Sequence, residues 1–141
     1  MSSKEEQNLA IAKRYLELVG SPLTKPEDLR AVLDESIVWR EMPNMFVPAG
    51  RVSDHAAMLA GFAKGRENLP NQTYAVRHAV ASEDTVALEI SWSGEVTKPI
   101  GPFPAGARLS AQVAVFLRFR NGKIVSQTDY PCDEPIGDRA V

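Results

Sequence analysis

The sequence predicts an α+β fold in which a curved antiparallel sheet wraps around helices gathered near the N-terminus. Three observations carry this expectation. Helical periodicity is confined to residues 4–67, and four extended segments follow one another from residue 72 to residue 130. Residues 113–132 (VAVFLRFRNGKIVSQTDYPC) read as two long strands joined at Asn121-Gly122. Asn-Gly is a strong hairpin signal, because both central residues of a type I′ turn need positive φ. Helices followed by consecutive strands is the order of an α+β domain, with the helices on one face of the sheet.

Each element has its own warrant. In residues 4–19, Leu9, Ala12, Tyr15, Leu16 and Val19 fall on one helical stripe, and Gly20-Ser21-Pro22 ends it. Thr24 and Glu27 have the spacing of a capping box for a short second helix, with Leu29, Val32 and Leu33 inward. Residues 36–41 (SIVWRE) form a strand, and residues 42–52 form an apolar loop held by Pro43 and Pro48. Ser53 is placed to cap a helix over residues 54–67 with Met58, Leu59 and Phe62 on one side. Strands are expected at 72–80, 86–93, 109–120 and 123–130, the first two separated by a turn at Ser82-Glu83-Asp84. Residues 97–107 (TKPIGPFPAGA) hold three prolines and two glycines, which bars them from a central strand and makes them a semi-rigid loop at one end of the sheet. The tail, residues 134–141, is expected to fray.

The totals narrow the function. A chain of 141 residues, 44% hydrophobic and 24% charged, suits one domain spanning 1–141 with its core at about 8–133. A net charge of −2 offers no footprint for nucleic acid or for a membrane surface. One cysteine, Cys132, excludes an internal disulfide framework, and no basic cluster or histidine stands near it to activate the thiol. The polar N-terminus shows no signal peptide and no apolar run is long enough to span a bilayer, so the expected location is cytoplasmic. The two histidines and scattered acids lack metal-ligand spacing, and no glycine-rich phosphate loop is present, so neither a metal nor another cofactor is implied.

Asp129 is the first candidate for chemistry. It ends an otherwise apolar, neutral strand, and an acid on an apolar surface must be paired, hydrogen-bonded or protonated. If Asp129 points inward, strand alternation turns Gln127 inward as well and Thr128 and Tyr130 outward. Glu41 is either a second acid/base or an ion-pair partner of Arg40 or Arg51. Tyr15 is either a hydrogen-bond donor to a substrate carbonyl or a core residue with its hydroxyl at the rim. His78 is either a cavity residue, grouped with Val76 and Val80, or a packed neutral imidazole, and His55 is expected in solvent. Trp39 and Trp92 are core or the walls of a cavity for a flat ligand.

Several segments together resemble the nuclear transport factor 2-like superfamily, and within it the SnoaL-like polyketide cyclases. They are Trp39-Arg40-Glu41-Met42-Pro43, residues 50–62, Leu69-Pro70-Asn71, Gly101-Pro102 with Pro104-Ala105-Gly106, and residues 113–130. The resemblance implies a cystatin-like cone, with the sheet enclosing a cavity suited to a small hydrophobic ligand. It implies that Asp129 is the acid or base, as on the last strand of SnoaL-like cyclases and limonene epoxide hydrolases. The Arg-x-Asp and Tyr-x-Asn pairs of those hydrolases are absent here, where the matching strands read Leu88-Glu89-Ile90 and Trp39-Arg40-Glu41. Against the ketosteroid isomerases, Tyr15 resembles the tyrosine of the first helix and Glu41 lies within one residue of the strand-end acid, but the second oxyanion acid falls at Val115.

The resemblance also implies the inward residues. They are Val113, Val115, Leu117 and Phe119; Leu88, Ile90 and Trp92; and Trp39 and Glu41, with Phe62 shaping the cavity from its helix. Ala114 and Phe116 then face outward and are expected to meet a second copy in a homodimer. The expected activity is acid/base chemistry on a small apolar carbonyl compound, with Tyr15 or Gln127 hydrogen-bonding the oxyanion. The alternative is a non-catalytic ligand-binding or assembly module on the same fold.

Overall fold

A computed structural model describes residues 1–134 of the chain. Apart from Glu134, the expected tail lies outside the described residues. The described part opens with helix α1 (Ser3–Gly20), capped by Ser2 in a reciprocal box with Glu5. The Glu5 carboxylate also accepts the N–H of Glu83, which ties the start of α1 to the turn between two later strands. Ala12, Tyr15 and Leu18 are buried along the expected stripe.

The second helix is a short 3-10 helix, Pro26–Ala31. Its cap differs from expectation. Asp28 accepts the N–H of Lys25 at 2.8 Å, and Thr24 is buried. Pro26, which has no N–H to offer, takes the first helical position, so the third is Asp28 rather than Glu27. Strand β1 (Leu33–Glu41) follows and then the short strand β2 (Arg51–Ser53), which no alternation pattern could reveal in three residues. Helix α2 (His55–Asn68) is capped by Asp54, not Ser53. Ser53 is committed to β2, paired with Trp39 and buried. His55, expected in solvent, is buried too.

Four long strands complete the sheet: β3 (Gln72–Ser82), β4 (Thr85–Glu95), β5 (Arg108–Arg120) and β6 (Lys123–Asp133). The order is β2-β1-β6-β5-β4-β3, antiparallel at every pairing except β1 with β6. The sheet curves around the helices, and fully buried Val86, Leu117 and Ile124 anchor the main core. A smaller cluster around Leu69, Trp92, Val96 and Leu109 packs beneath residues 97–107 at the other end. No helix among the described residues is long and apolar enough to cross a membrane.

One irregularity changes a face. β3 pairs Val76 with Ile90 and then His78 with Glu89, so Arg77 is an extra residue in a bulge. Before the bulge, Tyr74 and Val76 share a face with inward Trp92 and Ile90. After it, Ala79 and Ala81 take that face and His78 and Val80 turn outward. His78, expected to line the cavity, is exposed.

Four glycines among the described residues, Gly50, Gly101, Gly106 and Gly122, have the positive φ at which a side chain is strained, and two of them make a useful contrast. Asn121 and Gly122 both have positive φ, as the hairpin requires. Gly50 has φ +74, and a Cβ there would lie 2.8 Å from the carbonyl oxygen of Glu41. Gly122→Ala meets no neighbour and should lower stability by about 1–2 kcal/mol, the cost of a left-handed L-residue. Gly50→Ala adds a backbone clash and should cost more. Urea denaturation of both variants measures the difference.

Candidate active site

Between the concave face of the sheet and the helices lies a cavity of about 580 Å3. That volume is typical of small-molecule sites. Its walls are mostly apolar: Leu88, Ile90 and Trp92 from β4, Val113, Val115 and Leu117 from β5, and Phe62 from α2. Trp39 and Glu41 from β1, Tyr15 from α1, and Gln127 and Asp129 from β6 supply the polar side. Every site residue expected from the sequence lines this cavity except His78.

The parallel pairing of β1 and β6 brings the polar residues together. It sets Trp39 against Gln127 and Glu41 against Asp129. Helix α1 then delivers Tyr15 from the other side. The Tyr15 hydroxyl donates to Oε1 of Gln127 at 2.7 Å, and Nε2 of Gln127 donates to Oδ1 of Asp129 at 3.0 Å. The result is a directional chain from phenol through amide to carboxyl. Through it the Tyr15 hydroxyl is linked to the acid by way of the Gln127 amide.

Burial governs the ionisation of these groups. Asp129 opens to the cavity but is screened from bulk water, and this desolvation pushes its carboxyl up from the usual carboxylate range to about 7. The hydrogen bond donated by Gln127 opposes the rise, as does the nearness of the Trp39 indole, and the charge of Glu41 adds to it. Burial raises the Tyr15 phenol far above its ordinary value, and the nearby Asp129 charge adds to the effect. Tyr74, on β3, is pushed up to about 12 by burial and then by Asp129.

Glu41 is held in an ion pair. Both Nε and a terminal nitrogen of Arg51 lie 2.8 Å from its Oε2. The Arg51 guanidinium also sits 5.9 Å from the centre of the Trp39 ring. The pairing follows from β2, which places Arg51 directly opposite Glu41. The Arg51 alternative raised by the sequence is the one realised.

Sequence reasoning missed a second polar group. Oε1 of Gln72 accepts from both the Tyr74 hydroxyl (2.8 Å) and the Trp92 indole (2.9 Å). The alternation of Gln72 and Tyr74 within β3 was the available signal. Arg66 of α2 was also missed; it packs its guanidinium 4.4 Å from the Phe62 ring centre and donates to the carbonyl of Ser21. At the other end of the cavity, Phe46 from the 42–50 loop packs edge-on against Trp92 and Phe103, each 5.9 Å away. Ile100 of the 97–107 loop lines the cavity beside Met45 and Phe46. Among the described residues, no three His, Cys, Asp or Glu side chains gather in a way that could hold a metal ion.

The arrangement resembles known proteins in fold. The SnoaL-like domain model matches residues 12–127, a span that stops before Asp129. Among solved structures, AclR of Streptomyces galilaeus, described as a candidate hydroxylase, superposes with a TM-score of 0.76 at 21% identity, covering 96% of this chain and 85% of its own. IdmH of Streptomyces antibioticus, a candidate polyketide cyclase, gives 0.69 at 22% identity, with 92% of each chain covered. A candidate SnoaL-like polyketide cyclase from a Jannaschia species gives 0.77 at 16% identity, covering 93% of this chain and 89% of its own. No curated protein matches the chain.

The raised pKa of Asp129 has a consequence for stability. The folded protein holds a proton on Asp129 up to about pH 7, whereas the unfolded chain releases it near pH 4. Between those values the native state binds more protons, so this group makes the fold less stable as pH rises, and its effect levels off above the folded pKa. Asp129→Asn removes the titration. Its stability relative to the natural chain should therefore be greater at pH 8 than at pH 4, as read from urea midpoints at both values.

Proposed function

The chain belongs to the SnoaL-like domain family, and on that premise we propose that it is a cofactor-independent acid/base enzyme acting on a small, largely apolar carbonyl compound, in the manner of a polyketide cyclase or isomerase. The observation that carries this reading is Asp129, whose carboxyl faces an apolar cavity and is pushed up to about 7. A group with that pKa exists in both protonation states near neutrality, which is the condition for efficient general acid/base exchange. As a carboxylate it takes a proton from the carbon next to a substrate carbonyl; as an acid it returns that proton to another position. Tyr15 and Gln127 orient the carboxyl through their hydrogen-bonded chain. Trp39, Trp92 and Phe62 hold a flat substrate against it. The fold shared with candidate polyketide cyclases supports the choice of chemistry.

A binding module is the second reading. It draws on the mutual satisfaction of Tyr15 and Gln127, which leaves the phenol with no proton for an oxyanion. Asp129→Asn separates the two. On a panel of enolisable aromatic ketones, acid/base catalysis predicts a loss of turnover of about 10²–10⁴-fold, with binding of the same compounds largely retained. Turnover that survives the substitution sinks the enzyme reading.

We propose further that the outer sheet face joins two copies. Phe116 and Tyr130 are 45% and 47% exposed, and their rings meet edge-on at 5.9 Å. Ala114 lies beside them, paired with Tyr130, and Arg118 and Arg120 border the patch. Light scattering should give twice the chain mass for the natural protein and a single mass for Phe116→Glu. A monomeric natural protein at micromolar concentration overturns this assembly.

A further inference from the structure

Among the described residues, one oxygen of Asp129 and the indole N–H of Trp39 lack partners, and the two residues are neighbours in the cavity wall. Gln127 donates to Oδ1 of Asp129, but the other carboxyl oxygen takes part in no hydrogen bond among the described residues. The indole N–H of Trp39 is buried from solvent and has no acceptor among the described residues. Buried N–H groups are nearly always paired, so one that is not calls for an explanation. The β1–β6 register gives it a location. Trp39 stands beside Gln127, and Asp129 is two residues further along the same face of β6. The indole lies near enough to Asp129 to favour its charged form without reaching normal hydrogen-bond geometry. Arg51, bonded to Glu41, places its guanidinium 5.9 Å from the centre of the Trp39 ring.

Building on the acid/base role given to Asp129, we infer that Trp39 is a positioning residue whose indole N–H closes onto the free oxygen of Asp129 when the carboxyl gives up its proton. The carboxylate is then held by two N–H donors, Gln127 on one oxygen and Trp39 on the other. The indole keeps its own proton throughout; only the carboxyl proton leaves, to the substrate carbon or to water. When the proton returns, the demand on the indole falls and the bond relaxes to the open arrangement. An N–H donor to a charged oxygen is about twice as strong as a neutral pair, which makes the contact sensitive to charge. Trp92 provides the contrast, since its indole is already bonded to Gln72 at 2.9 Å.

The groups that could confuse a titration are few. Glu41 faces Asp129 from β1 with its partner Arg51 on β2, Tyr15 faces it from α1, and Tyr74 from β3, with Arg66 of α2 beyond Tyr74. Both phenols stay protonated through neutrality, because burial pushes each above its ordinary value.

The experiment is an NMR titration of the indole ¹H–¹⁵N pairs and the Asp129 carboxyl carbon, with Trp39→Phe to assign the two indoles. The Trp39 indole proton should move downfield with the midpoint of Asp129, and the Trp92 indole should not follow it. In Asp129→Asn the movement should vanish. In Trp39→Phe the Asp129 midpoint should rise by about one pH unit, a tenfold change in ionisation worth ~1.4 kcal/mol. The inference is overturned by a Trp39 indole that ignores Asp129, by a movement that persists in Asp129→Asn and so reports Glu41, or by an unchanged midpoint in Trp39→Phe. If Trp39→Phe does not fold, Asp129→Asn still identifies the Trp39 indole as the one whose movement disappears. No substrate is needed, so the pairing can stand even if turnover is never found and the enzyme reading fails.

Discussion

The parallel register of β1 against β6 sets Glu41 beside Asp129 and Trp39 beside Gln127, and most of the cavity's chemistry descends from that pairing. Parallel neighbours need a long connection between them, and here nearly the whole chain from β2 to β5 serves as that connection. Two carboxylates on adjacent strands repel. The repulsion is contained because β2 brings Arg51 opposite Glu41, so one acid is neutralised locally while the other is left to its apolar surroundings. A short, otherwise unremarkable strand therefore makes the two acids unlike.

The cavity shows how polar groups are tolerated in an apolar cone. Tyr15, Gln127 and Asp129 form one chain, and Tyr74, Trp92 and Gln72 form another. In each, a glutamine carbonyl oxygen collects the donors, so buried hydroxyl and indole protons are satisfied without adding charge. Among the described residues, Nε of Arg66 and the Trp39 indole are cavity-lining donors left without a partner, and it is the indole that stands beside the carboxyl whose charge is able to change. At the mouth the contacts are apolar instead. Phe46 and Phe103 meet over Trp92 from two separate loops, joining the smaller core to the cavity wall.

Much of this was legible before any coordinates. The α1 stripe, the Asn121-Gly122 hairpin and the inward alternation of β4, β5 and β6 follow from periods of 3.6 and 2 and from one turn's need for positive φ. The misreadings have local causes. Strict alternation offers His78 to the cavity, and one bulged residue, Arg77, reverses the phase. Ser53 looked like a cap, but a strand pairing claimed it and the next residue took the role. Tyr15 stands on the cavity as the stripe of α1 predicts, and its bond to Gln127 depends on how close α1 lies to β6.

The sequence alone determined the fold class, the two-residue alternation along each strand and the identity of the acid at the end of β6, because each depends on periodicity or on residues adjacent in the chain; which face of β4 and β5 turns inward came from the family resemblance, and the bulge at Arg77 set the face of β3. Only the tertiary structure decided what that acid is worth chemically. Desolvation by walls drawn from α1, α2 and all six strands moves its pKa, and Gln127, Trp39 and Glu41 set its balance. Those terms depend on distances between residues as much as 112 positions apart, such as Tyr15 and Gln127. No local pattern encodes such distances; packing of the whole sheet against the helices fixes them.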